Sequence, residues 1–89
     1  MGELVRKSKT RTSWHFDLDD VSYCFELKYT KLTGKKKLLR NGCLIYEESS
    51  LKKQFCHEMT IAQHLLVFTQ SGDSFDLRIN NESFMFVYT

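Results

Sequence analysis

From Thr12 to Tyr88 apolar residues recur at every second position in short runs, broken by turn residues, and the chain contains no proline. Alternation with a period of two puts one face of a segment on a core and the other in water, which is the pattern of half-buried β-strands. Trp14, Phe16 and Leu18 alternate with His15, Asp17 and Asp19, and Tyr23, Phe25, Leu27 and Tyr29 share a face in the next run. The run Leu65-Leu66-Val67-Phe68 is apolar on both faces, which predicts a central strand. Phe55, His57, Met59 and Ile61 alternate before it, as do Phe75, Leu77 and Ile79 after it. Phe84, Phe86 and Tyr88 predict a last strand, with Met85 and Val87 making its second face apolar too. If that strand is central, the domain's own core covers the two residues, the commoner fate of such a run; if it lies at an edge, they are the candidate edge or interface positions, because an apolar edge strand is a template for strand addition or dimerisation.

The turns fit this reading. Asn41-Gly42 suits the two positive-φ positions of a type I′ turn and predicts a tight hairpin from Leu38–Arg40 to Cys43–Glu47. Asp19-Asp20, Ser71-Gly72-Asp73 and Asn80-Asn81 predict further turns, and Glu48 to Lys53 reads as a loop too short for a helix. About eight strands in 89 residues must close on one another to bury their apolar faces. The expected fold is therefore an all-β, antiparallel β-sandwich with meander or Greek-key hairpins, spanning residues 12–89 as one domain. Residues 1–11, with Arg6, Lys7, Lys9 and Arg11 and little apolar content, read as a flexible basic arm.

Composition narrows the function class. At 42% hydrophobic the chain is too apolar for a disordered segment, and no apolar run approaches the ~20 residues of a membrane helix. Cys24, Cys43 and Cys56 are odd in number with no Cys-x-x-Cys spacing, and the opening residues lead into a basic stretch rather than an apolar signal region. Both point to reduced thiols and a cytoplasmic address. Met1-Gly2 half-matches a myristoylation motif, but Arg6 stands where serine or threonine is required. His15, His57 and His64 each sit inside a strand pattern, and Cys56 and His57, being neighbours in a strand, point to opposite faces and cannot form a dyad. Asp17, Asp19 and Asp20 form an acidic cluster, but turn chemistry accounts for Asp19-Asp20 without a cation, so no catalytic, cofactor or metal site is expected.

The order Trp14-x-Phe16-x-Leu18-Asp19, Tyr23-x-Phe25-x-Leu27, Asn41-Gly42 in a hairpin, Phe55-x-His57, and Phe75-x-Leu77-x-Ile79-Asn80-Asn81 resembles one half of the Fas apoptosis inhibitory molecule family. The resemblance spans most of the chain and rests on strand patterns and turns. It implies a cytoplasmic, non-enzymatic β-sandwich that acts through protein contacts, in a family linked to protection from cell death. Family members carry two such modules where this chain carries one, so a single interaction module is expected, as the N-terminal domain of a larger protein or by itself. The family offers no catalytic residues to carry over.

Charge is unevenly placed. Residues 1–40 hold ten Lys or Arg and five Asp or Glu, whereas residues 41–89 hold three and six, so the net +2 conceals a basic half. Lys28, Lys31, Lys35, Lys36, Lys37 and Arg40 flank one loop and form a candidate binding set for an acidic ligand. Two functions follow as expectations. The first is a protein-interaction module, with a second copy of itself as one partner. The alternative is binding of acidic, phosphoinositide-like phospholipid through Lys31 to Arg40. Nucleic acid is not expected, because the aromatics are committed to the core by their phase.

Overall fold

The computed structural model describes residues 9–83. The described residues form two four-stranded antiparallel sheets, each a simple meander. The first contains β1 (Lys9–Leu18), β2 (Val21–Thr30), β3 (Lys35–Arg40) and β4 (Cys43–Ser49); the second contains β5 (Cys56–Ile61), β6 (His64–Ser71), β7 (Ser74–Ile79) and β8 (Glu82–Ser83). In both sheets the spatial order is the chain order, so no Greek-key crossing occurs among the described residues. The last strand expected from the sequence, with Met85 and Val87, lies outside the described residues.

The residues in phase along each strand are the ones that turn inward. Trp14, Phe16, Leu18, Tyr23, Phe25, Leu27, Tyr29 and Leu38 of the first sheet and Phe55, Ile61, Leu66, Phe68, Phe75, Leu77 and Ile79 on the side of the second form a single core. Rings interlock across the layers. Phe68 packs 5.3 Å from Trp14 and 5.2 Å from Phe25, and Phe75 lies 5.3 Å from Tyr29. These are the tilted and edge-on separations at which aromatic pairs add about 0.5–1.5 kcal/mol beyond area burial. β6 is central, paired to β5 on one side and β7 on the other, as its two-sided apolar run required.

Two-residue turns set the register. Asp19-Asp20, Asn41-Gly42, Ala62-Gln63 and Asn80-Asn81 all have positive φ at both central positions, the type I′ signature whose twist matches that of the strands it joins. The two asparagines do more. The Asn41 side-chain oxygen accepts the Cys24 N–H (2.8 Å) while its own N–H donates to the Cys24 carbonyl (2.7 Å). Asn80 repeats the pair on Leu65, at 2.9 and 2.8 Å. One clamp in each sheet thus ties the third turn back to the second strand and extends the ladder past the end of its paired residues.

Two boundaries differ from the sequence reading. β1 begins at Lys9 rather than Thr12, because residues 9–11 continue the ladder against 28–30; Arg11 is exposed on the outer face, whereas Thr10 stands opposite Tyr29 on the core side. β3 begins at Lys35 rather than Leu38, so the lysine triplet is strand and not loop. In a strand its members must alternate faces, and Lys36 stands opposite Tyr29 on the core side.

Ala62 and Gln63 occupy left-handed positions that favour asparagine and glycine. Ala62→Asn with Gln63→Gly is expected to raise stability by about 1 kcal/mol, read as a higher urea midpoint at unchanged m-value.

Candidate functional site

The six basic residues singled out from the sequence do not form one site. Lys28, Lys35 and Lys37 project from the outer face of the first sheet. With Arg11 they line a depression of about 390 Å³ whose remaining walls are Thr10, Tyr29 and Thr30. Arg11 is opposite Lys28, and Lys28 is opposite Lys37, so three cations lie side by side across three neighbouring strands. Like charges in directly opposed positions are destabilising. Carboxylates at the margin relieve part of this: Glu26 holds Arg11 at 3.2 Å, and Glu47 lies 3.6 Å from Lys35 and 3.9 Å from Lys37. Lys28, in the middle of the row, has no carboxylate within ion-pair distance among the described residues. Sequence reading missed Arg11 because it assigned that residue to the flexible arm; the alternation Lys9, Arg11, Ser13, His15 was the signal that could have found it.

Lys36 must be removed from the ligand-binding set. It is 1% exposed, and its ammonium donates to the Lys52 carbonyl (2.9 Å) and the Ser50 carbonyl (3.3 Å), with Glu48 Oε2 at 3.9 Å. The Tyr29 ring lies 5.8 Å from the charge. A buried charge is tolerated when hydrogen bonds and a counter-charge replace its water, and here these come from the connection between β4 and β5. Lys36 therefore fastens the crossover that carries the chain from one sheet to the other. Arg40 also leaves the set. It sits at the far end of β3, about 17 Å along the strand from Lys35 at ~3.3 Å per residue, with its guanidinium 5.1 Å from the Tyr23 ring centre. Lys31 projects at the end of the sandwich, 3.2 Å from Asp73, which also takes Lys53 at 2.9 Å. Those two hydrogen-bonded ammoniums, Lys53 first, hold the Asp73 carboxyl below its usual range.

That end of the molecule is a second notable surface. The loop after β2 (residues 31–34) and the connection after β4 (residues 50–55) meet there: the Ser50 N–H donates to the Gly34 carbonyl at 3.0 Å. Gly34 has φ +72°, and a Cβ at this position would collide with the Ser50 carbonyl, so only glycine allows the approach. Leu32 and Leu51, 71% and 70% exposed, sit on these two joined loops. At the opposite end, the turns of both sheets meet where the Asn80 amide donates to His64 Nδ1 (2.9 Å) and His64 Nε2 faces Asp19 at 3.5 Å.

A third surface is the β4 edge. Leu38 pairs with Tyr46 and Leu39 with Leu44, leaving Ile45 as the extra residue of a β-bulge. Leu44 is 54% exposed, Ile45 is also exposed, and half-buried Leu39 is the cross-strand neighbour of Leu44. On the inner side of the same strand Tyr46 stacks on His57 at 4.3 Å and donates to Glu48 (2.8 Å). That hydrogen bond raises the Tyr46 pKa. Burial against the Tyr46 ring lowers the His57 pKa, outweighing the opposing pull of Glu48. Cys56 is exposed on the other face of β5. The cysteine and histidine that do meet are Cys24 and His15, cross-strand partners whose Sγ and Nε2 lie 3.8 Å apart. Among the described residues no cluster of three or more His, Cys, Asp or Glu is arranged to hold a metal ion. None of the helix-free described chain is long and apolar enough to cross a membrane as a helix.

In class, then, this is a two-sheet antiparallel β-sandwich whose charged and apolar surface features are open to solvent, the cationic row lining an open depression on the outer face of the first sheet. Comparison with protein-family models, with curated proteins and with solved structures returned no match.

Two outcomes test the buried groups. Lys36→Ala leaves the Ser50 and Lys52 carbonyls without their donor and is expected to destabilise by about 2–4 kcal/mol in urea unfolding, whereas Lys37→Ala on the outer face changes stability by less than about 0.5 kcal/mol. His57 has a folded pKa below its unfolded value of ~6.5, so the unfolded chain binds its proton first. Its contribution is fully present above that value and is lost as pH falls through the folded pKa. Unfolding midpoints should drop as pH falls below ~6.5, and His57→Phe should flatten that drop.

Proposed function

We propose that this chain is a non-enzymatic protein-interaction module, of the kind the resemblance to one half of the Fas apoptosis inhibitory molecule family implies, and that its β4 edge is the docking surface for a second copy of itself. The observation that carries this reading is the pair of exposed aliphatic side chains Leu44 and Ile45 on an open edge strand, with half-buried Leu39 beside Leu44 on the neighbouring strand. Apolar side chains on an edge strand are ordinarily blunted by charge, by a bulge or by a cover. Here the bulge swings Ile45 outward and leaves Leu44 uncovered, which disfavours simple strand addition and favours packing of side chains against an apolar counterpart. A two-fold contact would let the same patch meet itself. The remainder of the reading, a cytoplasmic module engaged in regulation of cell death, rests on the family resemblance.

Light scattering over a concentration series tests the docking surface. The wild-type mass should rise toward twice the chain mass, and Leu44→Lys with Ile45→Lys should hold the protein monomeric without lowering its unfolding midpoint. A wild-type chain that remains monomeric throughout, or a double variant that still dimerises, overturns the assignment of the β4 edge.

A further inference from the structure

We infer that the end of the sandwich carrying Leu32 and Leu51 docks onto an anionic lipid bilayer, with the two leucines entering the interfacial zone and the neighbouring lysines meeting the headgroups. This is a second surface at a different place from the β4 edge, and it does not depend on the protein-contact reading.

The argument begins with the leucines. Both are well exposed, and neither belongs to the core cluster. Their loops are not independent. The Gly34 to Ser50 hydrogen bond joins them, and the buried Lys36 ammonium holds both Ser50 and Lys52 by their carbonyls. Two apolar side chains are thus presented together from a braced support, so little ordering remains to be done on insertion.

Charge is the second, independent observation. Lys52 and Lys28 have no carboxylate within ion-pair distance among the described residues, and Lys31 and Lys53 share the single carboxylate of Asp73. Lys35, next to Gly34, connects this tip to the cationic row on the outer face of the first sheet. A tilted approach therefore brings tip and row to one plane. The far end of the molecule carries Asp17, Asp19, Asp20 and Glu82 against Arg40 and Arg78, so the charge is polarised along the strand direction in the sense that would orient this end toward a negative surface.

Shape selects a bilayer over a protein partner for this surface. Two leucines on a convex tip cannot supply the ~800 Å² per partner of a standard protein interface. A bilayer closes around a protruding side chain, and binding there grows with buried apolar area plus attraction of basic residues to anionic lipid.

The experiment is co-sedimentation of the full chain with phosphatidylcholine vesicles, with and without about a quarter phosphatidylserine. Expected is pelleting only when phosphatidylserine is present, weakening as salt is raised. Leu32→Ser with Leu51→Ser should reduce apparent affinity at least about tenfold, with far-UV circular dichroism and unfolding midpoint unchanged. Lys28→Glu with Lys52→Glu should reduce it by more than about twentyfold, since each basic residue near the surface contributes roughly fivefold and reversal adds repulsion. Equal pelleting on neutral vesicles, no pelleting on either, or full binding by the leucine double variant each overturns the inference. Loss of binding to an acidic peptide in the lysine variant, with no vesicle binding by the wild type, would transfer the basic surface to a protein ligand and overturn it too. Because neither variant pair touches the β4 edge, these results are separable from the light-scattering outcome.

Discussion

Phe68 lies between Trp14 and Phe25, and on that contact between layers the remainder of the molecule depends. Each meander has one apolar face and cannot stand in water alone. Closing one over the other buries both faces at once, and the fully buried apolar residues Phe25, Leu27, Leu38, Leu66, Phe68 and Leu77 come from both sheets. Everything outward-facing is then left free for charge and contact, which is why all three candidate surfaces lie on outer faces, edges or loop ends.

Holding the layers together requires one covalent crossover, and the chain fastens it with a polar device rather than an apolar one. Lys36 takes a core position and sends its ammonium to the carbonyls of residues 50 and 52. Gly34 lets the neighbouring loop press against the same segment. These two residues brace the end at which Leu32 and Leu51 are displayed, so stability and presentation of that surface share one origin. A flexible crossover would spread the leucines over many arrangements and add an ordering penalty to any docking event.

Alternation and turn chemistry made the fold legible. The inward phases of β1, β2, β6 and β7 and the tight turns at Asp19-Asp20, Asn41-Gly42 and Asn80-Asn81 are local properties, set by the period of the strand and by which residues accept positive φ. The candidate site was far less legible. Lys28, Lys31, Lys35, Lys36, Lys37 and Arg40 look equivalent as a run of cations flanking a loop, and they separate only when strand phase is assigned through the lysine triplet. With β3 beginning at Lys35, one lysine turns inward to a crossover that is distant in sequence, two turn outward beside Arg11, and Arg40 is carried to the opposite end. The Asn clamps, the bulge at Ile45 and the Tyr46–His57 stack depend equally on partners that no local pattern names.

By itself, then, the amino-acid sequence determined that this chain is all-β, which apolar residues turn inward, and where the turns built on Asp, Asn and Gly fall, because strand period and the turn preference of those residues are decided within a few neighbours. Tertiary structure alone decided which cations are structural and which are free, which edge leaves aliphatic side chains uncovered, and that two leucines remote in sequence share one braced tip. Those properties are set by register and by the stacking of one sheet on the other, which bring together residues that the chain order keeps apart.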